Sequence, residues 1–403
     1  MSTTTLDSRL ADVRVDVPSL VVVVLVIAGG VFALTSIVSI TQALLFLTGG
    51  LLGLALYQAS FGFTGGWKRF ATEGRSRSMR AQFLMIAITA VVFIPLMSGA
   101  FDMERTFVGA WAPVGFSVVL GAFIFGAGMQ LGGGCGSGTL FTVGGGSARM
   151  LVTLLGFIIG ATVGTLHLPF WLSLPSLPVV RLGETFGALN GTLVTLVGLT
   201  AIIGVLAFIE KRKHGNVESV FTGLRDLSPS SFLHGPWPLI LAALVLALGN
   251  IITLLLAGHP WSVTYGFGLW GAKAFEAIGI PVSSWPFWEN PAQARALQSS
   301  VLFDVTSVMN FGVILGAALA ASLAGKFAPK AVIPLLSWLA AIMGGLLMGY
   351  GARLSFGCNI GALFSGIASG SLHGWLWLVM AYIGSLAGIY IRPFFGLDGF
   401  KQA

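Results

Sequence analysis

One glycine-rich segment of this chain occurs twice. Its first copy spans residues 121–141 and its second spans residues 344–364, exactly 223 positions later, and the two align without a gap. Nine of the 21 aligned positions are identical, and the only two cysteines of the chain, Cys135 and Cys358, fall opposite each other. Each copy lies inside an apolar stretch. A fold for this sequence must therefore hold two equivalent glycine-rich breaks, each carrying one thiol.

The repeated segment lies in a chain that is too apolar for a soluble protein. It has 403 residues, of which 56% are hydrophobic and 9% charged, with a mean hydropathy of +0.92. A soluble domain carries roughly 25% charged residues, so the composition indicates an integral membrane protein. The net charge of +7 does not indicate a nucleic-acid partner, because the basic residues lie in short loops between apolar spans. Residues 1–18 are polar and predict no signal peptide.

Apolar runs long enough to cross a bilayer, at ~20 residues each, recur along the chain. They predict an all-α integral membrane protein with about ten transmembrane helices. The spans are expected at about 19–38, 40–60, 81–99, 114–131, 149–166, 188–208, 237–257, 302–324, 334–352 and 374–392.

The distribution of positive charge predicts the orientation of these spans. With both termini in the cytoplasm, 16 of the 21 lysines and arginines lie on the cytoplasmic side, as the positive-inside rule expects. The exceptions are Arg105, Arg181, Lys273, Arg295 and Arg353.

Five spans in each half place the second half upside down relative to the first, and such inverted repeats hold substrate between them. The predicted division is a cytoplasmic N-terminal segment (1–18), membrane repeat 1 (19–208), a cytoplasmic linker (209–236), membrane repeat 2 (237–395) and a C-terminal tail (396–403).

The glycines predict the local structure of the breaks. Ten glycines lie between positions 126 and 146, and each costs ~1 kcal/mol relative to alanine in a helix. We expect a helix that ends near Gly132, a turn with Cys135, and a short helix that begins near Gly138. Non-helical backbone inside a membrane must face protein or a cavity. Free backbone N–H groups and the start of a helix would favour an anion there.

One charged side chain distinguishes the two copies. Arg353 lies five residues before Cys358, whereas the first copy has Gln130 at the matching position. An arginine inside a membrane is costly and usually functional. Two other interpretations remain open: the glycines serve only helix packing with the cysteines as small hydrophobic residues, or the two thiols form a disulfide.

Other features give weaker expectations. The segments 61–66 and 265–271 are a second glycine-rich pair and predict re-entrant breaks. The tryptophans near the latter, including Trp261 and Trp288, are expected to be interfacial anchors, and His373 is likewise expected at an interface. Asp304 is expected to cap a helix rather than carry a proton. No metal-ligand spacing is present, and no cofactor is expected.

The segments 131–139 and 349–361 resemble the paired glycine–cysteine motifs of the YeeE/YedE family. That family is associated with transport of inorganic sulfur compounds, notably thiosulfate uptake across the inner membrane. From the family motifs only Cys135 and Cys358 carry over as residues of a substrate path. Together with the turns and the charged position described above, the predicted path is lined by Cys135, Cys358, Gly134, Gly136, Gly357, Asn359, Arg353, Gln130 and Gly62. A further family cysteine would stand where this chain has Gly62. The resemblance also implies a small cytosolic sulfur-carrier partner.

The leading hypothesis is therefore a multi-pass permease of the bacterial inner membrane that carries a small sulfur-containing anion, most notably thiosulfate, without a catalytic step. One alternative is a sulfur-relay or redox protein in which a cysteine becomes a persulfide. Others are a transporter of a related sulfur or selenium compound and a membrane scaffold without a substrate.

Overall fold

The computed structural model describes residues 15–101, 105–225, 227–327 and 333–400. Four of the basic residues that were assigned to the cytoplasmic side, Arg9, Arg14, Lys330 and Lys401, lie outside the described residues. So do most of the predicted N-terminal segment and residues 401–403 of the predicted tail.

The described chain is almost entirely helical, and ten of its helices are long and apolar enough to cross a membrane. The predicted all-α, multi-span membrane protein is confirmed. In chain order the α-helices are α1 (Val17–Ile37), α2 (Ile40–Gln58), α3 (Phe63–Glu73), α4 (Arg77–Met97), α5 (Phe116–Gly132), α6 (Gly136–Gly144), α7 (Ala148–Ser173), α8 (Leu182–Phe186), α9 (Ala188–His214), α10 (Pro229–His234), α11 (Leu239–Ala257), α12 (Thr264–Ala277), α13 (Pro286–Glu289), α14 (Pro291–Gln298), α15 (Val305–Leu323), α16 (Leu335–Leu354), α17 (Gly366–Ala368) and α18 (Leu372–Ile391).

Only one small sheet occurs in the described residues. Its strands, β1 (Pro113–Gly115) and β2 (Ser176–Val179), pair antiparallel and join the segment before α5 to the segment after α7.

Four interior breaks divide long helices from short ones. They occupy residues 59–62, 133–135, 258–263 and 355–358, and they lead into α3, α6, α12 and a π-helical segment, Asn359–Ser365. The prediction for the first thiol break was close, since α5 ends at Gly132 and α6 begins at Gly136. The second copy continues as a π-helix instead. Such wide turns are rare and often lie at functional sites.

A left-handed backbone conformation stops the long helix at each thiol break. Gly133 has φ +90° after α5, which glycine adopts without a steric cost. In the second copy Phe356 has φ +60°, an unfavourable conformation for a bulky side chain. The surrounding contacts must hold this residue in place, because its own conformational preference opposes the turn.

The long helices pack with their backbones close together. A side chain on Gly316 of α15 would overlap the carbonyl group of Gly50 on α2, so small residues are required at this contact. The helix pairs also correspond between the two halves: α5 packs on α16 and α18, and α16 packs on α5 and α7. Two related repeats would give this correspondence of helix pairs. The inversion of the second repeat stays a prediction.

Three expectations about single residues can be compared with the structure. Trp261 and Trp288 are fully buried, so their interpretation as interfacial anchors was wrong; the Trp288 indole donates to Thr165 instead. Asp304 does cap α15, since its carboxylate accepts from the backbone and hydroxyl groups of Ser307.

Candidate functional site

Both thiols occupy the same structural position, the residue before a short helix. Cys135 Sγ accepts a hydrogen bond from the Gly138 backbone at 3.4 Å, and Cys358 Sγ accepts one from the Ile360 backbone at 3.4 Å. Each sulfur thus satisfies a backbone donor at a helix start, where a serine or threonine oxygen more often serves. Both cysteines are free and buried, so the disulfide interpretation was wrong.

The fold brings the two thiol breaks together. A Cβ placed on Gly136, next to Cys135, would lie 3.0 Å from Cys358 Sγ and 3.4 Å from a methyl group of Val263. Three of the four breaks therefore meet at one point, because Val263 belongs to the break before α12. The space at this point depends on the absence of a side chain at position 136.

A cavity of about 270 Å³ lies beside this meeting point. We call it the arginine cavity. This volume is large enough for a small tetrahedral anion and several waters, since a water occupies roughly 30 Å³. Its lining residues are Gly109, Ala110, Trp111, Ala161, Leu168, Ser262, Thr264, Tyr265, Phe287, Ala352, Arg353, Phe356 and His373.

Arg353 gives the cavity its charge. Its Nε and Nη2 atoms are buried and have no hydrogen-bond partner among the described residues. The guanidinium lies 4.8 Å from the ring centre of Phe287 and 6.0 Å from that of Tyr265. Aromatic faces attract a cation, but they do not accept its N–H groups as a carboxylate would. The cavity therefore contains donors and positive charge that suit an anion.

Room for this arginine comes from two glycines on neighbouring helices. A Cβ on Gly268 of α12 would overlap Arg353 Nη2, and a Cβ on Gly164 of α7 would lie 2.8 Å from Arg353 Cβ. The side chain thus runs between α7 and α12. Within the described ranges its head group is held by packing, and no ion pair to it occurs there.

Two further buried polar side chains, Asn359 and His373, have atoms without partners among the described residues. Both polar atoms of the Asn359 amide, directly after Cys358, are without a hydrogen bond among the described residues. So is Nε2 of His373, which lines the arginine cavity and is 1% exposed. The expectation of an interfacial His373 was wrong. No signal in the sequence indicated its burial, because it stands at the start of a span, where polar residues commonly face the interface.

One short segment connects the cavity to the thiols. Ser262 lines the arginine cavity, and the next residue, Val263, lies against the gap between Gly136 and Cys358. Two consecutive residues thus join the lining of the arginine cavity to the meeting point of the breaks.

The remaining predicted path residues lie elsewhere. Gln130 is fully buried, and its amide nitrogen donates to Thr64 and to Ser385, so it joins α5 to α3 and α18 and does not line the arginine cavity. Gly62 begins α3 in a negative-φ conformation, and a Cβ there would have one neighbour, Ser60 O, at 4.0 Å.

Gly134 and Gly357 shape the thiol turns rather than line the space between them. A Cβ on Gly134 would lie 3.1 Å from the backbone of Gly138. Gly357 has φ +153°, and a Cβ there would lie 2.6 Å from the Ala362 backbone nitrogen. Both positions require glycine because the turn passes close to the helix that follows it.

Metal chemistry has no obvious location in the described residues, where no group of three His, Cys, Asp or Glu side chains could hold an ion. The chemical resources of the site are a cation, neutral donors and two thiols.

Comparison with known proteins gives this geometry a context. This chain is 26% identical, over 360 residues, to a protein named thiosulfate transporter TsuA from Escherichia coli strain K12. The match covers 86% of this chain and 94% of the relative. It is 28% identical over 277 residues to TsuA of Spirochaeta thermophila, covering 66% of this chain and 74% of the relative.

A third relative is the probable transporter YedE of Escherichia coli strain K12. The two are 32% identical over 146 residues, and the match covers 36% of this chain and only about a third, 35%, of YedE. The family described as "Sulphur transport" matches residues 58–387, a range that includes all four breaks and the arginine cavity. The chain therefore belongs to this sulphur transport family, the YeeE/YedE family that its glycine–cysteine motifs resemble.

Proposed function

We propose that this protein is a membrane transporter for thiosulfate or a closely related sulfur-containing anion. The observation that carries the proposal is Arg353, whose Nε and Nη2 have no hydrogen-bond partner in the described part of the chain, in a cavity beside two buried thiols. The family assignment and the relatives named as thiosulfate transporters support it. The path runs from the arginine cavity past Ser262 to the gap between Gly136 and Cys358.

The two ends of thiosulfate differ chemically, and so do the two parts of this site. The sulfonate oxygens are hard acceptors, which a guanidinium binds well through charge and several N–H groups. The terminal sulfur is polarizable and suits a thiol, a weak donor with a soft acceptor atom. In the proposed orientation, the oxygens face Arg353 and the sulfur faces Cys358.

The proposed location is the bacterial inner membrane, with both termini in the cytoplasm. Positive charge supports this orientation, because basic residues concentrate near the ends of α3, α4 and α9. With the two five-span repeats inverted, the arginine cavity then opens on the outer side and receives the anion first. A cytosolic sulfur carrier, which the resemblance implies, would take the anion on the opposite face.

Passage without a catalytic step is the favoured mechanism. Cys135 and Cys358 are 1% and 0% exposed, and buried thiols in apolar surroundings are generally unreactive. A persulfide relay would require a thiolate to attack sulfur. Mass spectrometry of protein purified after exposure to thiosulfate separates the two mechanisms, because a persulfide adds one sulfur to a cysteine-containing peptide.

Uptake by purified protein in liposomes tests the proposed function. Labelled thiosulfate should enter the liposomes, unlabelled thiosulfate should compete, and sulfate should compete less because it lacks a terminal sulfur. Sulfite and selenium analogues, tested as competitors, define the anion class. Equal uptake by liposomes with and without the protein would contradict the proposal.

A further inference from the structure

His373 enters the arginine cavity from a different helix than Arg353. It is the second residue of α18, whereas Arg353 belongs to α16. Both side chains line the same cavity. The position of His373 therefore allows a second, independent contact with whatever occupies this space.

One ring nitrogen of His373 is satisfied and the other is not. Nδ1 lies 2.7 Å from the hydroxyl oxygen of Ser371, two residues earlier. Nε2 is buried and has no hydrogen-bond partner among the described residues. Gly366 lies beside this nitrogen: a Cβ at position 366 would be 3.4 Å from Nε2. A buried polar atom with room beside it and no partner in the protein points to a partner in the cavity.

The Ser371 hydroxyl can donate to Nδ1 or accept from it, and its role sets what Nε2 can offer. In a neutral imidazole one nitrogen donates and the other accepts. When the Ser371 hydroxyl donates to Nδ1, the proton of the ring is on Nε2, which then offers an N–H donor to the cavity. An anion supplies the acceptor that this N–H lacks. A neutral donor beside an arginine adds a directed contact without a second charge.

We propose that His373 is an anion-recognition residue of the arginine cavity and that Ser371 is the positioning residue that fixes its tautomer. The inference rests on the proposed function in one respect, because the anion recognised is the one that is transported. His373 and Arg353 together bind the oxygen end of the anion, and the thiols contact its sulfur.

Binding titrations of the full chain in detergent, with thiosulfate and with sulfate, test this proposal. The matched pair is His373→Gln and His373→Asn. A glutamine places its amide nitrogen near the position of Nε2, whereas an asparagine places it near Nδ1. We expect His373→Asn and His373→Leu to weaken binding about tenfold, equivalent to about 1.4 kcal/mol, and His373→Gln to retain most of the affinity.

The same titrations test the role of Ser371. Ser371→Ala should weaken binding less than His373→Asn does. Ser371→Thr keeps the hydroxyl and should bind the anion with nearly wild-type affinity. If Ser371 had only a structural role, Ser371→Ala would lower the melting temperature, and the hydroxyl of Ser371→Thr would not preserve the affinity. Melting temperatures of all variants are measured in parallel.

Each outcome decides the proposal. Equal affinities of His373→Asn, His373→Gln and wild type, for whichever anion the wild type binds, would overturn the role of His373. Wild-type binding of sulfate but not thiosulfate would overturn the proposed substrate, while a loss in His373→Asn would still support the recognition residue. Binding of neither anion by the wild type would overturn both.

Discussion

The two thiol breaks share a backbone design but treat positive charge in opposite ways. At the first break, the carbonyl groups that end α5 accept hydrogen bonds from arginines: Arg149 donates to Gly132 and Leu131, at 2.7 Å each, and Arg392 donates to Gln130. At the second break, the described residues provide no hydrogen-bond partner for Nε and Nη2 of Arg353. At the first break, arginines cap the end of a helix. At the second break, two N–H-bearing nitrogens of Arg353 have no such partner among the described residues.

This difference assigns different roles to the duplicated segments. The C-terminal end of a helix carries partial negative charge, which cations stabilise, so Arg149 and Arg392 act on the protein itself. Arg353 comes from within its own helix and extends into a cavity lined by aromatic rings. The duplication therefore provides two thiol turns, and in the proposed function only the second, with Arg353 beside it, binds the anion.

Arg353→Gln should have the largest effect on binding. Of the arginines at the two breaks, only Arg353 has buried nitrogens without a hydrogen-bond partner among the described residues. A hydrogen bond to a charged group is worth about 1.5–3 kcal/mol. We expect the affinity for thiosulfate to fall by about 10- to 100-fold, with an unchanged or higher melting temperature, since an unpaired buried charge is removed. Isothermal titration and thermal melting of the purified protein measure both quantities.

Arg149→Gln and Gln130→Ala are the matched controls from the first break. Both side chains hold other elements through hydrogen bonds, so we expect about 1–3 kcal/mol lower stability and nearly unchanged affinity. A loss of affinity as large as that of Arg353→Gln would remove the distinction between the breaks.

Cys358→Ser and Cys135→Ser should each lower thiosulfate uptake while the protein stays folded. Serine is a preferred N-cap residue, so it can accept the same backbone hydrogen bond and preserve each turn. A hydroxyl matches a polarizable sulfur poorly, and we expect uptake to fall by about tenfold for Cys358→Ser. The effect should be smaller for Cys135→Ser, because the break of Cys358 contributes Phe356 to the lining of the arginine cavity, whereas residues 133–135 contribute nothing to it. Normal uptake by the double variant at wild-type expression would leave both cysteines with packing roles.

Gly136→Ala should narrow the gap between the two breaks. The added methyl group would lie 3.0 Å from Cys358 Sγ, closer than an ordinary contact, so the thiol must move into the proposed path. We expect uptake to fall by about threefold to tenfold, a cost of about 1 kcal/mol. Gly138→Ala is the control, because its methyl group would meet Cys135 Sγ at 3.4 Å, in ordinary contact. Equal uptake by the two variants would place the path away from this gap.

Gly62→Cys should have the smallest effect, because space is available at that position. We expect a change in stability within about 0.5 kcal/mol and uptake no lower than wild type. Gly66→Cys is the control: its Cβ would lie 2.6 Å from the Ser78 hydroxyl oxygen, and overpacking of this kind costs about 1–3 kcal/mol. If both variants melt at equally lowered temperatures, Gly62 has a packing role that its open surroundings do not indicate.

Much of the architecture followed from the sequence because hydropathy is a local property. A run of about 20 apolar residues spans a bilayer whatever its neighbours are, so eight of the ten spans could be placed within a few residues. The other two helices, α7 and α9, continue beyond the predicted ends at 166 and 208 to Ser173 and His214. The duplicated glycines predicted the breaks, since glycine disfavours a continuous helix. The equivalence of Cys135 and Cys358 was visible in the alignment, and both became N-cap residues.

The partners of the polar side chains did not follow from the sequence. Arg353 and Arg149 both stand next to a glycine-rich break, yet one is unpaired at two nitrogens and the other donates to carbonyl groups. Trp288 was expected at the membrane interface, but it is buried against Thr165, 123 residues away. The open space around Gly62 did not follow from the sequence either.

Local sequence patterns were enough to assign the membrane class, the spans and the position of the two thiol turns, because each depends on residues within one stretch of chain. Long-range packing left Arg353 with two unsatisfied nitrogens among the described residues and placed His373 in the same cavity. A buried polar atom is satisfied or left without a partner by atoms from distant segments, which a local pattern does not show. Gln130, for example, is held by a hydroxyl 255 positions away.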